Sequence, residues 1–115
     1  MSGTLDDFAA ERARLQALVL EKGSLTTKRF FNLDAAAYRD GALPAKTKEL
    51  LGLSASAVLR CDDCINYHLL QAKEAGWSAD EIREALDVAL IVGGSIVIPH
   101  LRRAYGRLEE LFPAA

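Results

Sequence analysis

The six residues WSADEI, from Trp77 to Ile82, constrain the fold more than any other stretch of this chain. Ser78 and Glu81 stand at the spacing of a capping box, in which each side chain accepts a hydrogen bond from the other residue's backbone N–H at a helix start. Trp77 and Ile82 occupy the two positions of the hydrophobic staple that accompanies it. A helix is therefore expected from Ala79 to about Val92, where Gly93-Gly94 breaks or bends it.

Other punctuation marks further helices around this one. Thr4 or Ser2 caps a first helix running to about Glu21, with Asp6, Asp7 and Glu11 near its positive end and Gly23 as its stop. A second fits Thr26 to Arg39, with Phe30, Leu33, Ala37 and Tyr38 at helical spacing. Pro44 suits the first position of a third helix, since its missing N–H would be unpaired there in any case. Leu50, Leu51, Leu53, Ala57 and Val58 make that helix apolar, so it is expected to be well buried. A fourth covers the stretch RCDDCINYHLL and stops near Gly76. A last one begins between Ser95 and Pro99 and runs to Leu111, because Pro99 disfavours a helical Ile98. The four residues SIVI are too few to rule on a strand. The expectation is an all-α protein, a single domain over residues 1–115 of about six helices.

Composition narrows the function. The chain has 115 residues, half of them apolar and 26% charged, with a formal net charge of −2. A nucleic-acid partner usually leaves a basic footprint, which is missing here. No apolar run approaches the roughly 20 residues a membrane-spanning helix needs. The first fifteen residues carry acids where a secretory signal carries basic residues, and they lack its apolar stretch. The protein is read as cytoplasmic, where a permanent structural disulfide is unusual.

Both cysteines and one of the two histidines lie in RCDDCINYHLL. On a helix, Cys61, Cys64 and His68 fall within roughly 60° of one another. Asp62, Asp63 and Asn66 point elsewhere, and Asp62 or Asp63 can contribute to the cap. A helix start stabilises thiolate over thiol, and a nearby imidazole can take the thiol proton. Cys64, one turn before His68, is the better nucleophile, and Cys61 the better resolving partner. Other readings stay open. The cysteines could be small core residues, since free cysteine is often buried. Zinc usually takes four ligands, and the fourth here would be His100, distant in sequence. Covalent haem needs a histidine directly after the second cysteine, where Ile65 stands. A thioredoxin-like site needs a βαβ context that these helical neighbours do not offer.

The segment from Leu43 to Gly94 resembles the core of the alkylhydroperoxidase D-like, or carboxymuconolactone decarboxylase, family, and the likeness continues more weakly to Leu108, so residues 43–108 form the family-like core. The motif is a glutamate, then a cysteine twelve residues later that opens CxxCxxxH. In this sequence these are Glu49, Cys61, Cys64 and His68. The resemblance implies an all-α fold that assembles as a homotrimer or homohexamer; no cofactor or metal is expected. It implies a redox branch that reduces peroxides with the cysteine pair, Cys64 as the peroxidatic thiol and Cys61 as the resolving one. His68 and Glu49 then form a proton relay with bound water, and an external dithiol or disulfide-carrying donor restores the thiols. The decarboxylase branch usually lacks the cysteine pair, so keeping both favours the redox branch. Without the resemblance, Glu49 is one acid among sixteen, either solvated beside Lys46 or Lys48 or partly buried next to LLGL. A carboxyl taken out of water can hold and pass a proton near neutral pH. Rival readings on the same fold are a thiol–disulfide oxidoreductase and a redox sensor without turnover. His100 either approaches the site or sits on a helix surface. Tyr67 is assigned to packing, and Arg102, Arg103 and Arg107 to a solvated or subunit-contact face.

Overall fold

The computed structural model describes residues 4–114 and forms two compact units, Met1–Ala45 and Lys46–Ala115. All of its regular elements are helical: α1 (Thr4–Lys22), α2 (Leu25–Ala37), α3 (Ala45–Val58), α4 (Asp62–Glu74), α5 (Ala79–Gly93), a short 3-10 turn (Ser95–Val97) and α6 (Ile98–Leu111). The all-α expectation holds, and no strand occurs among the described residues. SIVI forms the 3-10 turn and enters α6, with Pro99 in the first turn, where its ring is tolerated.

In the first unit, Thr4 is itself the first residue of α1, so it is not the cap before it; Ser2 lies outside the described residues. Ser24 caps α2 by accepting from the Thr27 N–H at 3.3 Å. Among the described residues of α1 and α2 only Leu5 is buried. Phe30 and Leu33 are 66% and 70% exposed, and Leu15, Leu18 and Leu20 are exposed too. Helical spacing picked out Phe30 and Leu33 but not their exposure.

α3 begins one residue after Pro44, where the Asp40 carboxylate accepts from the Ala45 N–H at 2.6 Å. The second unit has a continuous core. Leu53 and Ala57 of α3 meet Ile65, Leu69 and Ala72 of α4, Ile82, Leu86 and Ala89 of α5, then Val97, Ala104 and Leu108. Each fully buried leucine or isoleucine contributes about 1.5–3 kcal/mol by leaving water. α4 packs most extensively against α6. Polar ties join these helices at their ends and, for Ser54, mid-length. Ser54 donates to the Ala85 carbonyl at 2.8 Å, Trp77 Nε1 to the Lys46 carbonyl at 2.8 Å, and Lys73 to the Leu111 carbonyl at 2.7 Å.

The capping box is present in both directions. Ser78 N–H donates to Glu81 Oε1 at 2.9 Å and Glu81 N–H to Ser78 Oγ at 3.1 Å. Ile82 is fully buried and Trp77 packs against the same core. α3 is less buried than its composition suggests: Leu51 is 54% exposed, because only the Leu53–Ala57 side faces the core. None of the described helices is long and apolar enough to cross a membrane.

Candidate active site

α3 and α4 end in the same backbone device. After α4, Gly76 adopts φ 96°, its N–H bonds to the Lys73 carbonyl, and the Trp77 N–H bonds to the Ala72 carbonyl. This is a Schellman motif, with glycine at its left-handed position. After α3 the Arg60 N–H bonds to the Ala57 carbonyl at 3.0 Å and the Cys61 N–H to the Ser56 carbonyl at 3.1 Å. Here the left-handed position, φ 61°, is held by Arg60. A side chain in that conformation carries a backbone penalty of roughly 1 kcal/mol. The motif turns the chain so that Cys61 arrives, extended, as the N-cap of α4.

Cys61 caps with sulfur where an oxygen side chain is usual. Its Sγ accepts from the Cys64 N–H at 3.2 Å. Cys61 and Cys64 are joined as a disulfide, with Cα atoms 5.2 Å apart. Cys61 is half-buried and Cys64 is exposed on the first turn. The expectation that α4 starts at the cysteine pair therefore holds, while the cap falls to Cys61 rather than to Asp62 or Asp63.

His68 lies one turn beyond Cys64 and is buried. Its Nδ1 is 2.9 Å from Glu49 Oε2 on α3, and the two side chains are 10% and 14% exposed. Helical side chains lean toward the N-terminus, so the ring inclines toward the turn that holds Cys64. When Glu49 is ionised it can only accept, so Nδ1 carries the proton and Nε2 becomes the basic atom. The Tyr67 ring stands edge-on to the imidazole, with centroids 5.2 Å apart. All four residues of the motif thus come from α3, α4 and the turn between them.

A second histidine–carboxylate contact sits at the same helix start, which the sequence reading missed. Asp62, the first residue of α4, lies with Oδ1 2.8 Å from His100 Nδ1 and accepts from Arg103 Nε on Oδ2 at 2.9 Å. Partial burial works against the Asp62 charge. The His100 bond and the Arg103 guanidinium outweigh it and hold the carboxyl below its ordinary value. Arg103 is therefore tied to α4 rather than merely solvated. The one available signal was the spacing of His100 and Arg103, a single turn apart on α6. A groove of about 330 Å³ lined by Leu50, Trp77, Glu81, Glu84, Ala85 and Val88 contains none of these residues. Among the described residues no group of three or more His, Cys, Asp or Glu side chains is arranged to hold a metal ion.

Known proteins share this arrangement of helices. A Thermotoga maritima protein, seen in two crystal structures, is 65% and 64% identical, with TM-scores of 0.88 and 0.86. The alignments cover 91% of this chain and 92% and 89% of those chains. That protein is described as a carboxymuconolactone decarboxylase family protein for which a role in the antioxidative response has been suggested. A Legionella pneumophila protein of the same family is 28% identical, with a TM-score of 0.80 and 94% of each chain covered. An uncharacterised Paracoccus denitrificans protein of the cox locus is 30% identical over 82 residues, 71% of this chain and 74% of its own length. An uncharacterised Cupriavidus necator protein is 36% identical over 76 residues, 66% of this chain and 67% of its own. Residues 24–105 match the carboxymuconolactone decarboxylase family as a whole, and the chain belongs to that family.

Proposed function

We propose that the protein is a thiol-dependent hydroperoxide reductase that works through Cys64 and Cys61. The observation that carries this reading is the nearly buried pair of His68 with Glu49, His68 lying one turn along α4 from the exposed Cys64. In the reduced protein, Cys64 thiolate attacks one oxygen of ROOH. An S–O bond forms, the O–O bond breaks, and RO⁻ leaves as the alcohol after taking a proton. Cys64 is now a sulfenic acid. Cys61 thiolate then attacks the Cys64 sulfur, the S–S bond forms, and the hydroxyl leaves as water after a second proton transfer. An external dithiol supplies the two electrons that reduce the disulfide and becomes a disulfide itself. His68 and Glu49 move the protons. In the disulfide the Cys64 N–H donates to Cys61 Sγ, which makes Cys61 the better leaving thiolate when the donor attacks the exposed Cys64 sulfur, and this supports the resolving role.

The suggested antioxidative role of the Thermotoga maritima relative agrees with this reading. The test is peroxide consumption with a dithiol reductant. Cys64→Ser should abolish turnover while leaving the helical content unchanged; full activity in that variant would remove Cys64 from the mechanism.

Leu59, two residues before Cys61 and 76% exposed, favours a second reading. An apolar side chain beside the disulfide suits docking of another protein's disulfide, so the same pair would act as a thiol–disulfide oxidoreductase. Rapid disulfide exchange with negligible peroxide consumption separates the two. In either case the protein works in the cytoplasm as a homotrimer or homohexamer. Val88, Ile91 and Val92 share one face of α5 by their spacing and are 58–84% exposed, and an exposed apolar face of this kind usually marks an association surface.

A further inference from the structure

We propose that Arg103 is a positioning residue for the cysteine pair: with His100 it holds and neutralises the Asp62 carboxylate, which keeps the adjacent thiols reactive. The inference rests on the reading that Cys61 and Cys64 act as a redox pair.

Asp62 follows Cys61 directly and opens α4. An acid in a first turn normally steadies a helix through its dipole. Beside two sulfurs it has an opposing effect. A carboxylate near a forming thiolate disfavours that second negative charge. The structure deals with this by drawing Asp62 onto α6. Both carboxylate oxygens are engaged there, Oδ1 with His100 and Oδ2 with Arg103. With Asp62 ionised, His100 Nδ1 is the donor, so the 3.4 Å approach of Arg103 Nη2 to that nitrogen is a neighbour contact only. The guanidinium is always charged, and its Nε–H bond to Oδ2 draws the carboxylate toward α6 as well as balancing it.

The other charged and titratable groups around this helix start do not replace Arg103. Asp63, next along α4, is exposed and adds a second negative charge. Arg60, directly before Cys61, is exposed. Glu49 and His68 pair with each other. Arg103 therefore supplies the fixed positive charge that meets Asp62. Its action is indirect: it touches Asp62 and His100.

The experiment is alkylation of the reduced protein by iodoacetamide across pH 5–10, read by mass spectrometry. It needs no peroxide and no electron donor. Arg103→Met keeps much of the apolar stem and leaves Asp62 unbalanced. The alkylation midpoint should rise by about half a pH unit, a roughly threefold slower reaction at pH 7. Asp62→Asn should move the midpoint the other way, the double variant should return close to the parent, and Arg103→Lys should recover most of the loss. Circular dichroism checks that each variant keeps its helices. Shifts of the same sign in Arg103→Met and Asp62→Asn would mean a purely structural clamp and overturn the proposal, as would no shift in either. A parent protein that consumes no peroxide but shows the opposed shifts would end the peroxidase reading and leave this assignment standing.

Discussion

Glu49 Oε2 and His68 Nδ1 meet at 2.9 Å between α3 and α4, with both side chains almost out of water. Glu49→Gln keeps the size of the side chain but cannot exchange the proton. If the pair relays protons, turnover with peroxide should fall by about 100-fold or more, with little change in the melting temperature. Unchanged turnover would make the contact structural only. Glu49→Ala is a poorer probe, since it removes a largely buried hydrogen bond along with the acid, at a cost of about 1–3 kcal/mol.

Arg60 sits at φ 61° in the turn that delivers Cys61. Glycine adopts that conformation freely, so Arg60→Gly should stabilise the protein by up to about 1 kcal/mol in urea unfolding. Arg60→Val should cost about 1–2 kcal/mol, because a β-branched side chain resists the left-handed region most. Equal stability of the two variants would contradict the account of the turn.

Ser78 and Glu81 bond reciprocally at the start of α5. Ser78→Ala removes one of the two bonds and should lower stability by about 0.5–2 kcal/mol. A change below the error of the unfolding measurement would show that the tertiary contacts of Trp77 and Ile82 hold that helix end alone.

These two helix ends mark how far the sequence was legible. The capping box has a signature that depends on residue type and spacing, and Gly76 announces its own left-handed turn. The α3 end uses the same motif with arginine in the glycine position, so no residue type gave it away. Helical geometry puts Cys64 and His68 one turn apart on α4, while Cys61 lies before the helix as its extended N-cap. The partner of His68 did not follow from that geometry, because Glu49 was identified by resemblance and not by periodicity. The Asp62–Arg103 contact spans 41 residues of sequence and has no repeating pattern to betray it. Burial was the least legible property: apolar residues at helical spacing, such as Phe30, Leu33 and Leu51, prove exposed.

The lowered Asp62 carboxyl implies a signed pH dependence. A group with a depressed folded-state value contributes stability above its ordinary, unfolded value. That contribution is lost as pH falls through the folded value. Asp62→Asn should therefore be less stable than the parent at pH 7, by under about 1 kcal/mol given the partial exposure of the contact. The difference should vanish in acid, below the folded-state value. A gap that persists there would assign it to something other than the charge.

Ile91 is 84% exposed on α5. If that face is an association surface, Ile91→Glu should convert a larger assembly to monomer in sedimentation at micromolar concentration. A parent protein that is already a stable monomer would rule out the trimer and hexamer.

The most direct measurement mixes reduced protein with one equivalent of an organic hydroperoxide and follows it by stopped flow, then by mass. The account predicts loss of the peroxide, one equivalent of alcohol and a Cys61–Cys64 disulfide, with a trapped sulfenic acid on Cys64 when Cys61 is replaced by serine. Peroxide left unconsumed while both thiols remain reduced would contradict it.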